Sequence, residues 1–338
     1  MKRYRVGIIG CGCSAWELHG YLLRDHPRFC IAAAYDRKPD VAVRYAQAFN
    51  CMAYETLEDF LKADLDLAVI LTVSSMHAEL AVLCMEHGIH TFVTKPWACS
   101  VGEADAMIAA AAKNGVQVYE VLAQQFENDL RLLKDIVSGG AIGRVYRVRR
   151  NGATFGQRND WQTQLSLGGG YLNNWGPHLF GQALALLSEP VVRVCAETRR
   201  IINGGDAEDM FVARLITNEG TILDVEYNIM TEGVPDWIIQ GDGGTVTVKD
   251  HVIELHRVEQ PEKLIEGVYR NKVRIELERI PYQPVDRHVL YDELAEALDG
   301  TKPYSVQPAF SRMITEIISA ARVSAQNGMP VILDKRSE

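Results

Sequence analysis

Hydrophobic and polar positions alternate in two different ways along this chain. Through the first 120 residues, short and nearly continuous apolar runs are separated by stretches of helical spacing. Residues 4–9 predict a strand and 15–24 a helix, then 29–35 a second strand and 41–49 a second helix. Residues 67–71, 76–86 and 89–93 continue the alternation as strand, helix and strand. Ser100, with Glu103 three residues on, makes a capping box that opens an alanine-rich helix ending at Asn114-Gly115. Residues 116–119 are another short strand, and Gly88 and Gly115 stand where helix C-caps belong. Strands that are apolar throughout and joined by helices predict a parallel sheet covered on both faces.

The pattern then changes. A helix over 128–137 ends at Gly139-Gly140, a strand runs over 144–154, and 171–187 predicts one helix. Strand-like runs follow at 191–198, 210–217, 221–230, 237–240, 245–249 and 252–257, most of them joined by short turns, as in an antiparallel sheet. Two helices, 290–298 and 310–326, close the chain. A length of 338 residues suits two domains. The fold class expected is α/β: a doubly wound parallel sheet over 1–122, then an α+β domain with a predominantly antiparallel mixed sheet over 123–338.

Composition narrows the function classes. The chain is 47% apolar and 23% charged, with no run long enough to cross a bilayer, so no membrane role is expected. Met1-Lys2-Arg3-Tyr4-Arg5 leads straight into a strand with no apolar segment and cleavage site behind it, so secretion is not expected. A net charge of −9 argues against a general nucleic-acid surface. The seven cysteines form no C-x-x-C pair, which reads as small hydrophobes in a reducing compartment, the cytoplasm by default, with no metal site.

The first strand runs directly into G-x-G-x-x-A, at Gly10, Gly12 and Ala15. Gly10 permits the tight turn, Gly12 lets the backbone approach a pyrophosphate, and Ala15 allows close helix packing. The phosphates of a dinucleotide would meet Cys13, Ser14 and the N-terminus of the following helix. Asp36, 24 residues past Gly12, ends the second strand, where a carboxylate accepts from ribose hydroxyls and repels a 2′-phosphate. NAD is therefore favoured, while Arg37 beside it keeps NADP open. Thr72 and Ser74 could touch the cofactor from the next loop; for His77 a cofactor contact and simple packing at a helix start weigh equally. Thr94, Lys95 and Pro96 follow a later strand of the same sheet and face the same crevice.

Together these residues resemble the glucose–fructose oxidoreductase / inositol dehydrogenase (Gfo/Idh/MocA) family over nearly the whole chain. The motifs are G-x-G-x-x-A at 10–15, T-x-x-x-x-H at 72–77, G-I-H-T-F-V-T-K-P at 88–96, Asp160-Trp161, and the segment from Gly168 to His178. The resemblance implies a Rossmann domain followed by a sheet domain that carries substrate and builds a homodimer or homotetramer. It implies hydride transfer between a nicotinamide and a hydroxyl or carbonyl of a sugar, cyclitol or related polyol. It places a catalytic lysine at Lys95, before a proline commonly cis, and a proton-shuttling histidine at His178.

Several positions depart from that pattern. The usual aspartate four residues before the histidine is Asn174, an amide that can orient but cannot accept a proton or carry charge. The aspartate three residues after it is Gly181, the glutamate before the lysine is Thr94, and the usual asparagine–arginine–arginine reads Ala123-Gln124-Gln125. Lost charges keep a second reading in play, a non-catalytic dinucleotide-binding sensor or regulator of the same family. Arg158, Asp160, Trp161, Asn174, Trp175 and His178, with the amides around them, suit a neutral polyhydroxylated ligand, although both tryptophans could equally fill an interface. Asp160 is the sequence's nearest replacement for the missing carboxylate.

Overall fold

The structure, a computed structural model, describes residues 2–259, 266–267, 269 and 273–333. Its backbone divides into two compact units. One holds the residues up to Ala123 with Asp160–Pro177 and Asp286–Ser319; the other holds Gln124–Asn159, His178–Val285 and the residues from Ala320 on.

The first unit is built on six strands, β1 (Tyr4–Ile9), β2 (Phe29–Tyr35), β3 (Met52–Tyr54), β4 (Leu67–Ile70), β5 (His90–Thr94) and β6 (Val118–Val121), in the order β3-β2-β1-β4-β5-β6. Every pair in it is parallel. Residues of β4 and β6 are buried throughout, as expected for strands covered on both faces. The crossovers are helices α1 (Tyr21–Arg24), α2 (Pro39–Phe49), α3 (Leu57–Leu61), α4 (His77–Glu86) and α5 (Val101–Asn114). Their ends follow local chemistry. Thr56 caps α3 by accepting from the Asp59 N–H, Ser100 caps α5 by accepting from the Glu103 N–H, and Gly115 ends α5 at φ 65°. Glu103 returns its carboxylate to the Cys99 N–H at 2.7 Å, one residue earlier than a standard capping box.

Helices from later in the chain complete this unit: α7 (Tyr171–Asn174), α9 (Val289–Leu298) and the start of α10 (Pro308–Asn327). Tyr291 packs against Phe29 and Phe92 at ring distances of 5.4 and 5.7 Å, and Tyr304 against Tyr119 at 4.9 Å. An apolar cluster including Val93, Met107 and Val118 forms a further part of the core.

Two expectations from periodicity are corrected. Residues 15–24 begin as a π-helical turn, Ala15–Gly20, before α1; the wider turn seats Trp16 on the rings of Tyr45 and Phe49. The single helix expected over 171–187 is two, α7 and α8 (Gly176–Ala185), broken at Trp175. Pro177 has no N–H to donate into the preceding turn and disfavours helical geometry before it, so the helix restarts there.

The second unit carries α6 (Asn128–Ser138) and nine strands: β7 (Val145–Thr154), β8 (Val191–Arg199), β9 (Met210–Thr217), β10 (Ile222–Ile229), β11 (Trp237–Gly241), β12 (Gly244–Lys249), β13 (Val252–Glu259), β14 (Arg274–Pro281) and β15 (Val331–Ile332). Their order is β14-β13-β12-β11-β7-β10-β9-β8-β15, antiparallel except where β7 meets β10. The alternating burial along β9 and β10 is that of a sheet with one face covered. Periodicity does not reveal β3, α3, β14 or β15. Nearly all of β14 is exposed, and charge pairs such as Arg279 to Glu254 at 2.8 Å tie it to β13 in place of apolar burial.

Candidate active site

The strand–turn–helix at residues 4–20 supplies a cradle for a dinucleotide. Gly10 adopts φ 90°, and a Cβ there would lie 2.9 Å from the backbone of Leu71 and Thr72, so only glycine lets the two loops close up. A Cβ on Gly12 would meet nothing within 4 Å; it faces open space. Cys13 and Ser14 are exposed on the same turn, and the Gly12 carbonyl oxygen accepts from the Ala15 N–H at 3.0 Å.

Asp36 is fixed by its own backbone neighbourhood. One carboxylate oxygen accepts from the Cys11 N–H and the other from the Lys38 N–H, both at 2.9 Å. With Gly10, Gly12, Arg37, Thr72 and Trp161, it lines a cavity of about 370 Å³. An open glycine turn, an anchored carboxylate and a half-buried indole fit a nucleotide, with Asp36 placed for ribose hydroxyls and the Gly12 turn for phosphates. Arg37 and Lys38 bring cationic side chains to the same cavity.

The loop after β5 holds the second group of residues. The Lys95-Pro96 peptide bond is cis. His77, fully buried, stands between the Pro96 carbonyl oxygen, 2.7 Å from Nδ1, and the Thr72 carbonyl oxygen, 3.1 Å from Nε2. Both ring nitrogens face backbone carbonyl oxygens, of which the neutral ring, with one N–H, donates to one, and the histidine stands between the cofactor-side loop and the lysine loop. Burial lowers its proton affinity, the two carbonyls oppose that, and the nearby Lys95 charge adds to it. Ser74 is buried and Thr94 half-buried at the end of β5.

Lys95 meets Asn174. Its ammonium donates to the Asn174 main-chain oxygen at 2.8 Å and also to the Asn174 side-chain oxygen. The glycine run explains how Asn174 gets there. Gly168 sits at φ 75°, where a Cβ would collide with Cys99 Sγ and Ser74 Cβ at 2.8 Å, and a Cβ on Gly169 would collide with the Gln162 carbonyl oxygen at 2.5 Å. The Asn173 side chain then donates to the Gly168 carbonyl oxygen at 3.0 Å, locking the turn that presents Asn174. Asp160, exposed, caps the short turn Trp161–Thr163 by accepting from the Gln162 N–H at 3.0 Å.

Another carboxyl lies within electrostatic reach of Lys95. Glu120, in the middle of β6, is 1% exposed. Burial pushes its carboxyl up to about 7, against the Ser311 hydroxyl, the Trp97 N–H and the Lys95 charge, which favour ionisation. Sequence reasoning passed over it. The signal was present: a glutamate interrupting the apolar run from Val118 to Leu122.

The remaining predicted site residues behave as follows. The Arg158 N–H donates to the Asn203 side-chain oxygen at 2.7 Å within the second unit. His178, 7% exposed, is in the first turn of α8, and Trp175 is half-buried at the end of α7. Among the described residues no cluster of His, Cys, Asp or Glu could hold a metal ion, and no helix is long and apolar enough to cross a membrane.

Comparison with known proteins gives the family. Residues 4–121 match the family described as an oxidoreductase family with an NAD-binding Rossmann fold, and residues 130–247 match the GFO/IDH/MocA C-terminal domain; together they span well over half of the chain. An uncharacterized oxidoreductase of Schizosaccharomyces pombe is 26% identical over 235 residues, which span 67% of this chain but only 64% of the relative. A scyllo-inositol 2-dehydrogenase (NADP(+)) of Bacillus subtilis is 27% identical over 334 residues, 94% of this chain and 96% of that protein. The WlbA dehydrogenase of Bordetella pertussis, crystallised with NADH and UDP-GlcNAcA, superposes with a TM-score of 0.83 at 22% identity, covering 99% of this chain and 100% of that one.

Proposed function

The chain belongs to the Gfo/Idh/MocA family of oxidoreductases with an NAD-binding Rossmann fold, and from that premise we propose that it oxidises or reduces one hydroxyl or carbonyl of a sugar, cyclitol or related polyol. The observation that carries the reading is the Lys95 ammonium, held by Asn174 at the carboxyl end of β5 in the sheet that carries the dinucleotide cradle. The scyllo-inositol and sugar-nucleotide dehydrogenases it resembles support the substrate class.

When bound, a nicotinamide dinucleotide supplies a carbon that accepts or gives hydride. The chain's residues do the rest. Gly10, Gly12, Cys13, Ser14 and Ala15 receive the phosphates, Asp36 takes the ribose hydroxyls, and Arg37, Thr72, Ser74, Thr94 and Pro96 line the approach, with His77 bracing from behind. Lys95 donates to the reacting oxygen and stabilises the charge that develops there. Asn174 aims the ammonium, and His178 holds or passes the hydroxyl proton. Arg158, Asp160, Trp161 and Trp175 contact the substrate; Trp161 also borders the cofactor cavity. With Asp36 anchored, NAD is the preferred dinucleotide.

We assign the outer face of the nine-stranded sheet to a homodimer or homotetramer contact. Half-buried Val212, Ile216 and Ile238 lie on it beside the Arg147–Asp224–Arg214 network, whose ion pairs are 2.5 and 2.7 Å. We assign the chain to the cytoplasm on its seven scattered cysteines, which form no C-x-x-C pair.

Single-turnover absorbance at the nicotinamide band, run with a panel of cyclitols, polyols and ketosugars, tests the reading. At least one compound should change the redox state of bound NAD(H). Tight dinucleotide binding with no redox change across a broad panel would remove the enzyme reading.

A further inference from the structure

Sequence comparison with the family subtracts negative charge from the surroundings of Lys95: the usual aspartate is Asn174 and the usual glutamate is Thr94. The tertiary structure supplies a carboxyl from another direction. In the parallel pairing of β5 with β6, Val93 lies opposite Glu120 and Thr94 opposite Val121. Lys95 is the first residue past the end of β5, two after Val93, so the loop that carries it leaves the sheet next to the strand position of Glu120.

Glu120 is closed off from water, and its Oε2 has no hydrogen-bond partner among the described residues. The groups around the carboxyl come from three elements: Lys95 and the Trp97 N–H from the loop after β5, Ser311 from α10, and the buried Tyr304 hydroxyl from the segment before α10. Lys95 is the one cation among these. A carboxylate buried in an apolar strand beside neutral donors is costly unless a charge partner offsets it, and Lys95 is the cation that can.

We propose that Glu120 is the internal counter-charge of Lys95, a positioning residue that keeps the amine protonated and turned toward Asn174. This rests on the assignment of Lys95 as the group that meets the substrate oxygen. Asn174 sets direction with neutral oxygens, and Glu120 supplies, from behind the loop, the charge that Asn174 lacks. The amine then reaches the reacting oxygen as a proton donor with its countercharge buried and fixed, unable to compete for the substrate.

Competitive acetylation of the folded protein across pH, with the Lys95 peptide quantified by mass spectrometry, reads the amine's protonation directly and needs neither substrate nor turnover. Glu120→Gln should lower the midpoint for Lys95 by about one pH unit, a tenfold loss of the ammonium at a given alkaline pH. Glu120→Asp keeps the charge and should retain most of the wild-type midpoint, whereas a purely structural role would make both variants behave alike. An unchanged midpoint in Glu120→Gln overturns the proposal. If that variant does not fold, the reciprocal experiment serves: the infrared band of the protonated Glu120 carboxyl should titrate at higher pH in Lys95→Met, and an unmoved band overturns the pairing. A silent substrate panel leaves these titrations intact, so the two assignments fail separately.

Discussion

Lys95 and Asn174 stand 79 positions apart and meet through two hydrogen bonds, the ammonium donating to both the main-chain and the side-chain oxygen of the same residue. One of those acceptors belongs to the backbone and survives any substitution. Lys95→Ala should therefore lower turnover about a thousandfold, as loss of a general acid does. Asn174→Ala, which keeps the main-chain acceptor, should cost roughly tenfold to thirtyfold, the worth of one hydrogen bond to a charged group. Steady-state kinetics paired with NADH fluorescence titration checks both, and the dinucleotide Kd should stay within about threefold. Equal losses in the two variants would mean that the amide side chain alone aims the lysine.

Asp36 accepts from the Cys11 and Lys38 N–H groups and lines the cavity that also holds Gly10, Gly12 and Arg37. Asp36→Ala removes the acceptor for ribose hydroxyls while Arg37 and Lys38 remain. The ratio of NADP to NAD affinity should move at least tenfold toward NADP, measured by titration of both dinucleotides. The loss of two backbone partners should also lower thermal stability by about 1–2 kcal/mol.

Two buried groups give stability opposite pH slopes. Glu120, raised to about 7 in the fold by burial, binds a proton that the unfolded chain has released above about 4.5, so its contribution to stability declines as pH rises from about 4.5 to 7. Glu120→Gln lacks that decline. Its stability relative to wild type should improve by about 3 kcal/mol between pH 4.5 and 7.5 in urea titrations. His19, fully buried against the Tyr291 hydroxyl at 2.6 Å, is pushed down to about 3 by burial. The unfolded chain takes up that proton below about 6.5, so stability declines as pH falls from 6.5 toward 3. His19→Gln should flatten that limb by up to about 1.4 kcal/mol per pH unit, whatever its cost at neutral pH.

Gly168 and Gly115 both hold positive φ, but only the first is crowded. Gly115→Ala should cost about 1 kcal/mol, the strain of a left-handed alanine. Gly168→Ala adds a clash with Cys99 and Ser74 and should cost clearly more, with a loss of turnover as the turn presenting Asn174 is displaced. Urea midpoints and kcat for the pair test this, and equal destabilisation would show that the crowding relaxes freely.

The fold class and most of the element order were legible because hydrophobic period is a local property. Near-continuous apolar runs separated by helical spacing specify a covered parallel sheet, and alternating runs with short turns specify the second sheet. The glycine turn, Asp36 and the Lys95-Pro96 loop were legible for the same reason, since each is a short motif whose chemistry acts on its immediate neighbours. The π-turn at Ala15–Gly20 and the strand β14 were not: the first answers to Trp16 packing on Tyr45 and Phe49, the second to charges borrowed from β13.

By itself, then, the sequence determined two sheets, a dinucleotide cradle and a lysine at a strand's end, because each follows from residues close together in the chain. Only the tertiary structure decided that Asn174 receives that lysine, that Asp160 caps a turn, and that Glu120 is buried beside the Lys95 loop. Those outcomes depend on strand register and on glycines that let distant segments touch. A one-dimensional pattern contains the residues that make such contacts, but packing alone selects which of them meet.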